Sequence, residues 1–345
     1  MNKKHTIKDI AKLAGVSTGT VDRVLHNRGR VSEEVKTKVN AILKEIDFQP
    51  NIIARSLKSN KIINIAVLLP DPKLDAFWSP CLKGIKKIQK EYKSFNVILK
   101  TYYFDPLDNQ SFLNSSDLVI SEKPDAVLFT PFFSKESKQI LHQLNELNIV
   151  YGTFNNPIFS NAISNFTGPD LYKSGRVAAR LMDLITKDGK IIILHIDENY
   201  ENATYMQKKE LGFRDYFNMK DESKNKILAY NLKHTELEKS IGSIFSEHSD
   251  ICGLFITTSK AHQVINVISD DILKHLSIIG YDLLEDNIKL LKSNKLQFLI
   301  NQNPEKMVYN GLLQLVEFFL IKKDIPQTNY IPIEIINSEN FEYYV

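Results

Sequence analysis

The chain has few cysteines: Cys81 and Cys252 are the only two in 345 residues. Two thiols so far apart do not make a disulfide scaffold and point to a reducing, cytoplasmic compartment. No run of about 18 apolar residues occurs, so no membrane-spanning helix is expected. The opening MNKKHTIKDIAK is charged and lacks an apolar core, so it does not read as a secretory signal. Neither G-x-x-x-x-G-K-[ST] nor G-x-G-x-x-G is present, which leaves nucleotide phosphates without a cradle. The eight histidines are scattered, with no H-E-x-x-H and no Cys/His cluster, so neither a metal nor a cofactor is expected. Low-complexity tracts and short-period repeats are also missing.

What remains is an ordinary globular composition, 43% hydrophobic and 25% charged. The length suggests two or three domains. The net charge of +3 is uneven. Residues 1–60 carry twelve Lys/Arg against six Asp/Glu, and the rest carry 32 against 35. A basic head on a slightly acidic body is the electrostatic footprint of a nucleic-acid-binding head.

The head, 1–50, reads as three short helices. Thr6 caps the first, whose Ile7, Ile10, Ala11 and Ala14 fall at helical spacing. Gly15 suits a tight turn, Ser17 caps the second helix and Ser32 the third, where Glu33 and Glu34 sit in the first turn. Pro50 ends it. Residues 51–61 form a linker able to make one or two helical turns. From Ile62 the pattern changes. Strands are expected at IINIAVLLP, NVILKTYYF, AVLFTPF, IVYGTF, KIIILHI, KILAYNL, GLFITT, LSIIGYD and LQFLINQ, alternating with helices that start near Ser79, Asp108, Ser134, Pro169, Ala203, Thr235, Ala261, Leu284 and Pro304. Near-continuous apolar strands between helices mean parallel sheets covered on both faces. The span 62–345 exceeds one usual core and divides into two α/β lobes. The boundaries expected are 62–161 with 293–323 for the first lobe and 162–292 with 324–345 for the second.

The first two helices are a helix-turn-helix candidate, with Ala11 and Gly15 where the helices approach. A second helix starting at Ser17 turns Thr18, Gly19, Asp22, Arg23 and His26 outward, its start near base edges in a major groove. Arg23 can hold a guanine bidentately. Lys3, Lys4, Arg28 and Arg30 can reach phosphates. The stretch TIKDIAKLAGVSTGTVDRVLHNRGRVSEEVKTKVNAILKEIDFQPN resembles, without gaps, the head of the lactose repressor family of bacterial regulators. The resemblance implies an all-α head that reads palindromic operator DNA as a homodimer. Thr6, Ser17 and Thr20 join the outward residues at that interface. Asn51, Ala54 and Leu57 stand where the family has its N-x-x-A-x-x-L hinge, which pairs in the minor groove and wedges its leucine into a base step. Thr18 and Gly19 are smaller than is usual in relatives, which shifts specificity toward Arg23 and DNA shape. Asp22 replaces the usual serine. It either accepts from a cytosine amino group or orients Arg23, Arg28 or His26.

The body resembles the two-lobed ribose-binding-protein type of sugar binder. DAFWSPCLKGIKK matches the first loop and helix, where rings stack on a sugar, so Phe77 and Trp78 are candidates, with core packing as the alternative. Thr130, Asn155, Asn156, Gln207, Thr258, Ser259, Asp282 and Gln302 fall at its polar contact positions. Amides and hydroxyls stand where relatives carry charges, which suggests a neutral ligand, although His195, His262 or Lys260 can supply positive charge. The combination reads as a sugar-controlled DNA-binding regulator. The rival is an α/β enzyme acting on a sugar. Its triad would be Ser259, His262 and Asp282, but no G-x-S-x-G elbow surrounds the serine.

Overall fold

The computed structural model describes residues 6–25, 29, 31–46, 62–158, 165–197, 204–220 and 225–345. The chain divides into two units, Met1–Lys58 and Ser59–Val345. In the first, Thr6 opens α1 (Ile7–Ala14) with a capping box. Its hydroxyl accepts the Asp9 N–H at 3.3 Å, and the Asp9 carboxylate accepts the Thr6 N–H at 2.8 Å. Gly15 ends the helix at φ 64°, a left-handed conformation that costs glycine little. Ser17 accepts the Thr20 N–H at 3.1 Å at the start of α2 (Thr18–Leu25), and Ser32 caps α3 (Glu33–Glu45). Ile10, Ala11, Ala14, Val21, Val24 and Val39 close one small core between the three.

The second unit repeats one α/β plan. Its first sheet comprises β1 (Ile63–Pro70), β2 (Val97–Phe104), β3 (Ala126–Phe129), β4 (Val150–Phe154), β5 (Phe166–Gly168) and β11 (Thr328–Tyr330), in the order β11-β5-β4-β3-β1-β2. The second comprises β6 (Lys190–Ile196), β7 (Lys226–Leu232), β8 (Ile251–Ile256), β9 (Ser277–Tyr281), β10 (Phe298–Asn301) and β12 (Glu334–Ile336), in the order β12-β10-β9-β8-β6-β7. Strand for strand the two orders correspond. They differ in the last strand, where β11 joins β5 parallel and β12 joins β10 antiparallel.

The helices are α4 (Ser79–Glu91), α5 (Asn109–Ser121), α6 (Ser134–Glu146), α7 (Leu171–Ile185), α8 (Thr204–Asn218), α9 (Leu237–Glu247), α10 (Ala261–Ile265), α11 (Asp270–Leu273), α12 (Glu285–Lys292) and α13 (Pro304–Ile321). The core of the first lobe joins β1, β3, α4 and α13, with Trp78, Phe104, Phe112, Phe129 and Phe154 wholly or almost wholly buried in it. The second lobe has an aliphatic cluster and a smaller one around Phe213, Phe255 and Tyr281. In that lobe α7 and α8 touch backbone to backbone. A Cβ at Gly175 would lie 2.0 Å from the Lys209 carbonyl oxygen, and one at Gly212 would lie 2.0 Å from that of Tyr172.

Every strand and helix expected from periodicity forms, but the lobe boundaries need correction. The first sheet keeps β5, so the chain first crosses after Gly168 rather than at 161. The segment 293–323 is split, since β10 pairs with β9 in the second lobe while α13 packs into the first. The segment 324–345 is split too, because β11 pairs with β5 and β12 with β10. Strands of three residues carry no readable period, so the sequence leaves these crossings unmarked. The linker 51–61 lies outside the described residues.

Candidate functional site

One cleft is lined by Asp75, Phe77 and Trp78 after β1, Phe132 after β3, Asn155 after β4, Tyr205 and Lys209 on α8, Thr257, Thr258 and Ser259 after β8, Asp282 after β9 and Gln302 after β10. These are strand carboxyl ends, where open α/β sheets take ligands. The free volume is about 40 Å³, room for a few water molecules.

The first-lobe wall is aromatic. Asp75 starts a short 3₁₀ turn by accepting the Phe77 N–H at 3.0 Å, which brings Phe77 and Trp78 edge to face with centroids 4.8 Å apart. Phe132 lies 6.3 Å from the Trp78 ring and 6.0 Å from Tyr205 of the other lobe, so rings bridge the cleft. Burial raises the Asp75 carboxyl above its ordinary range, against the Phe77 N–H, the charge of Lys260 and the indole of Trp78. That indole N–H is directed toward Asp75 yet makes no hydrogen bond of acceptable geometry. Asn155 Nδ2 donates to Asn156 Oδ1 at 3.2 Å, while Asn155 Oδ1 and Asn156 Nδ2 have no partner. A buried polar atom left this way costs about 1–3 kcal/mol, and of the two residues only Asn155 lines the cleft, where a partner could relieve that cost.

The second-lobe wall is polar and internally bonded. Asp282 is 3% exposed and sits at φ 65°. Its carboxylate accepts the Gln302 N–H at 3.0 Å and Gln302 Nε2 at 2.8 Å. Burial pushes its pKa up to about 6, with the charge of Lys209 and the two Gln302 bonds opposing the rise. Lys209 Nζ donates to the Thr257 carbonyl at 3.0 Å and stands 3.7 Å over the Tyr281 ring, a desolvated cation–π contact. Behind it His195 Nδ1 meets Thr257 Oγ1 at 2.7 Å and its Nε2 meets Glu210 at 2.8 Å. Arg214 Nε holds the other Glu210 oxygen at 2.7 Å.

The cleft brings together Phe77, Trp78, Asn155, Thr258, Ser259, Asp282 and Gln302, and Phe77 and Trp78 also fill the core. Thr130, Asn156 and Gln207 do not line it, which corrects their expected placement. Thr130 and Asn156 are sealed in, and Gln207 is half-buried elsewhere on α8. Residues two apart on a helix point about 200° apart, so Gln207 faces away from the surface that Tyr205 and Lys209 share at a spacing of four. That spacing within TYMQKKELGF was the available signal for Lys209, the buried cation that sequence reasoning passed over. Asp75, Phe132, Tyr205 and Thr257 were missed as well. The hydrolytic arrangement is not assembled among the described residues. His262 is held by Asn287 Oδ1, at 2.9 Å from its N–H and 3.1 Å from Nδ1, while both Asp282 oxygens serve Gln302.

In the head, Thr18, Gly19, Asp22 and Arg23 are exposed on α2 while Val21 and Val24 are buried beneath it. Thr6 and Ser17 cap helices, and Thr20 is half-buried with its hydroxyl 2.9 Å from that of Ser17. His26, Arg30, Asn51, Ala54 and Leu57 lie outside the described residues.

The family of bacterial regulatory proteins, lacI family, matches residues 6–51, and the periplasmic binding protein domain matches residues 65–320. The chain belongs to the lacI family, with a periplasmic-binding-protein body. This lacI-family chain is 31% identical over 149 residues to catabolite control protein A of Staphylococcus aureus, covering 43% of this chain and 44% of the relative. It is 36% identical over 145 residues to the HTH-type transcriptional regulator RegA of Clostridium saccharobutylicum, covering 42% and 41%. Those matches thus span less than half the length of the curated relatives. The crystal structure of a candidate LacI transcriptional regulator from Bacteroides fragilis is 32% identical with a TM-score of 0.75, covering 83% of this chain and all of that one. A periplasmic solute binding protein from Actinobacillus succinogenes with bound D-allose shares the fold at 19% identity and a TM-score of 0.69, covering 82% and 100%. No helix among the described residues is long and apolar enough to cross a membrane.

Proposed function

We propose that this chain is a sequence-specific DNA-binding transcription regulator, acting in the cytoplasm as a homodimer on palindromic operators, and that a small, sugar-like ligand in the cleft controls it. Repression of carbohydrate-utilisation genes is the role this supports. The carrying observation is the cleft itself, with its aromatic wall, its unpartnered Trp78 and Asn155 atoms, and its Asp282–Gln302 pair at strand carboxyl ends. Closure on a ligand gives those atoms their partners, and the lobe rearrangement is transmitted to the head as a shift between two populations. Arg23 on the exposed face of α2 supplies a base contact, and the basic head supplies phosphate contacts.

The test has two arms. Selection of duplexes from a random library should enrich a palindrome, with log affinity falling by about 0.9 per neutralised phosphate as log salt rises. A thermal-shift screen of mono- and disaccharides, sugar acids and nucleobases should find a stabilising sugar that also alters operator affinity. No enriched duplex would sink the DNA reading, and hydrolysis of the bound sugar would instead favour an enzyme.

A further inference from the structure

The cleft has an asymmetry of charge beyond its general suitability for a sugar. Among the described lining residues the charged ones are Asp75, Asp282 and Lys209. The two carboxylates come from opposite lobes, and neither forms an ion pair among the described residues. Asp75 accepts the Phe77 N–H, with the Trp78 indole directed toward it, and Asp282 accepts from the two Gln302 donors. Lys209 is near enough to Asp282 to stabilise its charge, and Lys260 does the same for Asp75. Lys260 Nζ itself donates at 2.8 Å to Asp197, which carries a balancing charge. Among the described residues the lining therefore sets two carboxyl groups against one ammonium. The same lining carries Phe77, Trp78, Phe132 and Tyr205, rings whose faces attract cations. An uncompensated carboxylate in a partly desolvated site is costly, and a ligand cation removes that cost.

We propose that the preferred ligand is an amino sugar, its ammonium lodged between Asp75 and Asp282 and its hydroxyls met by Asn155, Gln302, Thr258 and Ser259. This rests on the sugar-binding reading above and narrows it. The same arrangement disfavours phosphorylated and carboxylated sugars, which bring a second negative charge to the same place.

Calorimetric titration of the full chain at pH 7 with matched pairs decides the point: D-glucosamine and D-glucose, D-galactosamine and D-galactose, D-mannosamine and D-mannose, with the N-acetyl forms and D-glucuronate alongside. In whichever series binds, the amino sugar is expected to bind at least tenfold tighter than its neutral partner. N-acetylation should abolish the advantage, and Asp75→Asn should collapse it. The advantage should also shrink as pH falls below about 6, where the Asp282 carboxyl takes up a proton. Equal or tighter binding of the neutral, N-acetylated or acidic member overturns the proposal and leaves the sugar reading standing. Binding of no sugar overturns both. Should Asp75→Asn fail to fold, the N-acetyl comparison on the unaltered chain carries the decision.

Discussion

Thr130 and Thr257 stand at the same place in two copies of one plan. Each follows the third strand of its sheet, and each N–H donates to a carbonyl of the neighbouring strand, Leu68 at 3.2 Å and Leu194 at 3.1 Å. Asn155 and Asp282 match in the same way. Both follow the fourth strand, both lie in the left-handed region at φ 64° and 65°, and both donate an N–H at 3.1 Å, to Thr167 and Ile300. Side chains separate the two copies. The Thr130 hydroxyl and Asn155 Oδ1 have no partner, whereas Thr257 meets His195 and Asp282 meets Gln302. The first lobe filled the plan with rings and left polar atoms unspent. The second built a bonded polar lattice into the same backbone. One wall is thus internally bonded, and the other keeps buried polar atoms without partners.

The sharpest way to break this comparison is Trp78→Ala. If the aromatic wall is also the first lobe's core, the change should cost about 3–5 kcal/mol in urea unfolding. A loss below about 1 kcal/mol would make the ring a ligand contact only. Next in size is Asp282→Asn, read by pH. The native carboxyl titrates near 6, above its ordinary 3.8, so the folded state binds a proton that the unfolded state releases. Stability should therefore fall as pH rises from about 4 to 6, by on the order of 2–3 kcal/mol, and the asparagine variant should lack that slope. An unchanged slope would mean that the carboxyl is not desolvated.

The smaller effects test the matched threonines directly. Thr257→Val strands His195 Nδ1 and should cost about 1–3 kcal/mol by thermal or urea unfolding. Thr130→Val removes a hydroxyl that bonds to nothing and should be neutral or stabilising by less than about 1 kcal/mol. Equal losses at both sites would show that the two lobes do not differ as described.

Much of this was legible before any coordinates. The near-continuous apolar strands, the Thr6 and Ser32 caps and the glycine turn at Gly15 each carry a local chemical signature, and each formed as expected. Trp78 and Asp282 were marked by position after strands. What stayed hidden was pairing across long sequence separations. Whether Gln302 bonds Asp282, or β10 leaves the lobe of α13, depends on contacts that no window of sequence contains. The duplicated plan was equally invisible, because a threonine shared by positions 130 and 257 is too short a repeat to stand out in the sequence.

The three crossings after β5, β10 and β11 have a consequence for synthesis. As the chain emerges, residues 190–301 supply every strand of the second sheet except its edge, β12. The first lobe has its strands β1 to β4 long before that, yet it lacks α13, whose Met307, Val308, Leu312, Leu315 and Val316 fill its core. The half made first therefore waits for its core to be filled, and its apolar strands stay partly uncovered through the translation of more than a hundred residues. A ribosome pause between α12 and α13 is the point at which aggregation or chaperone capture should concentrate.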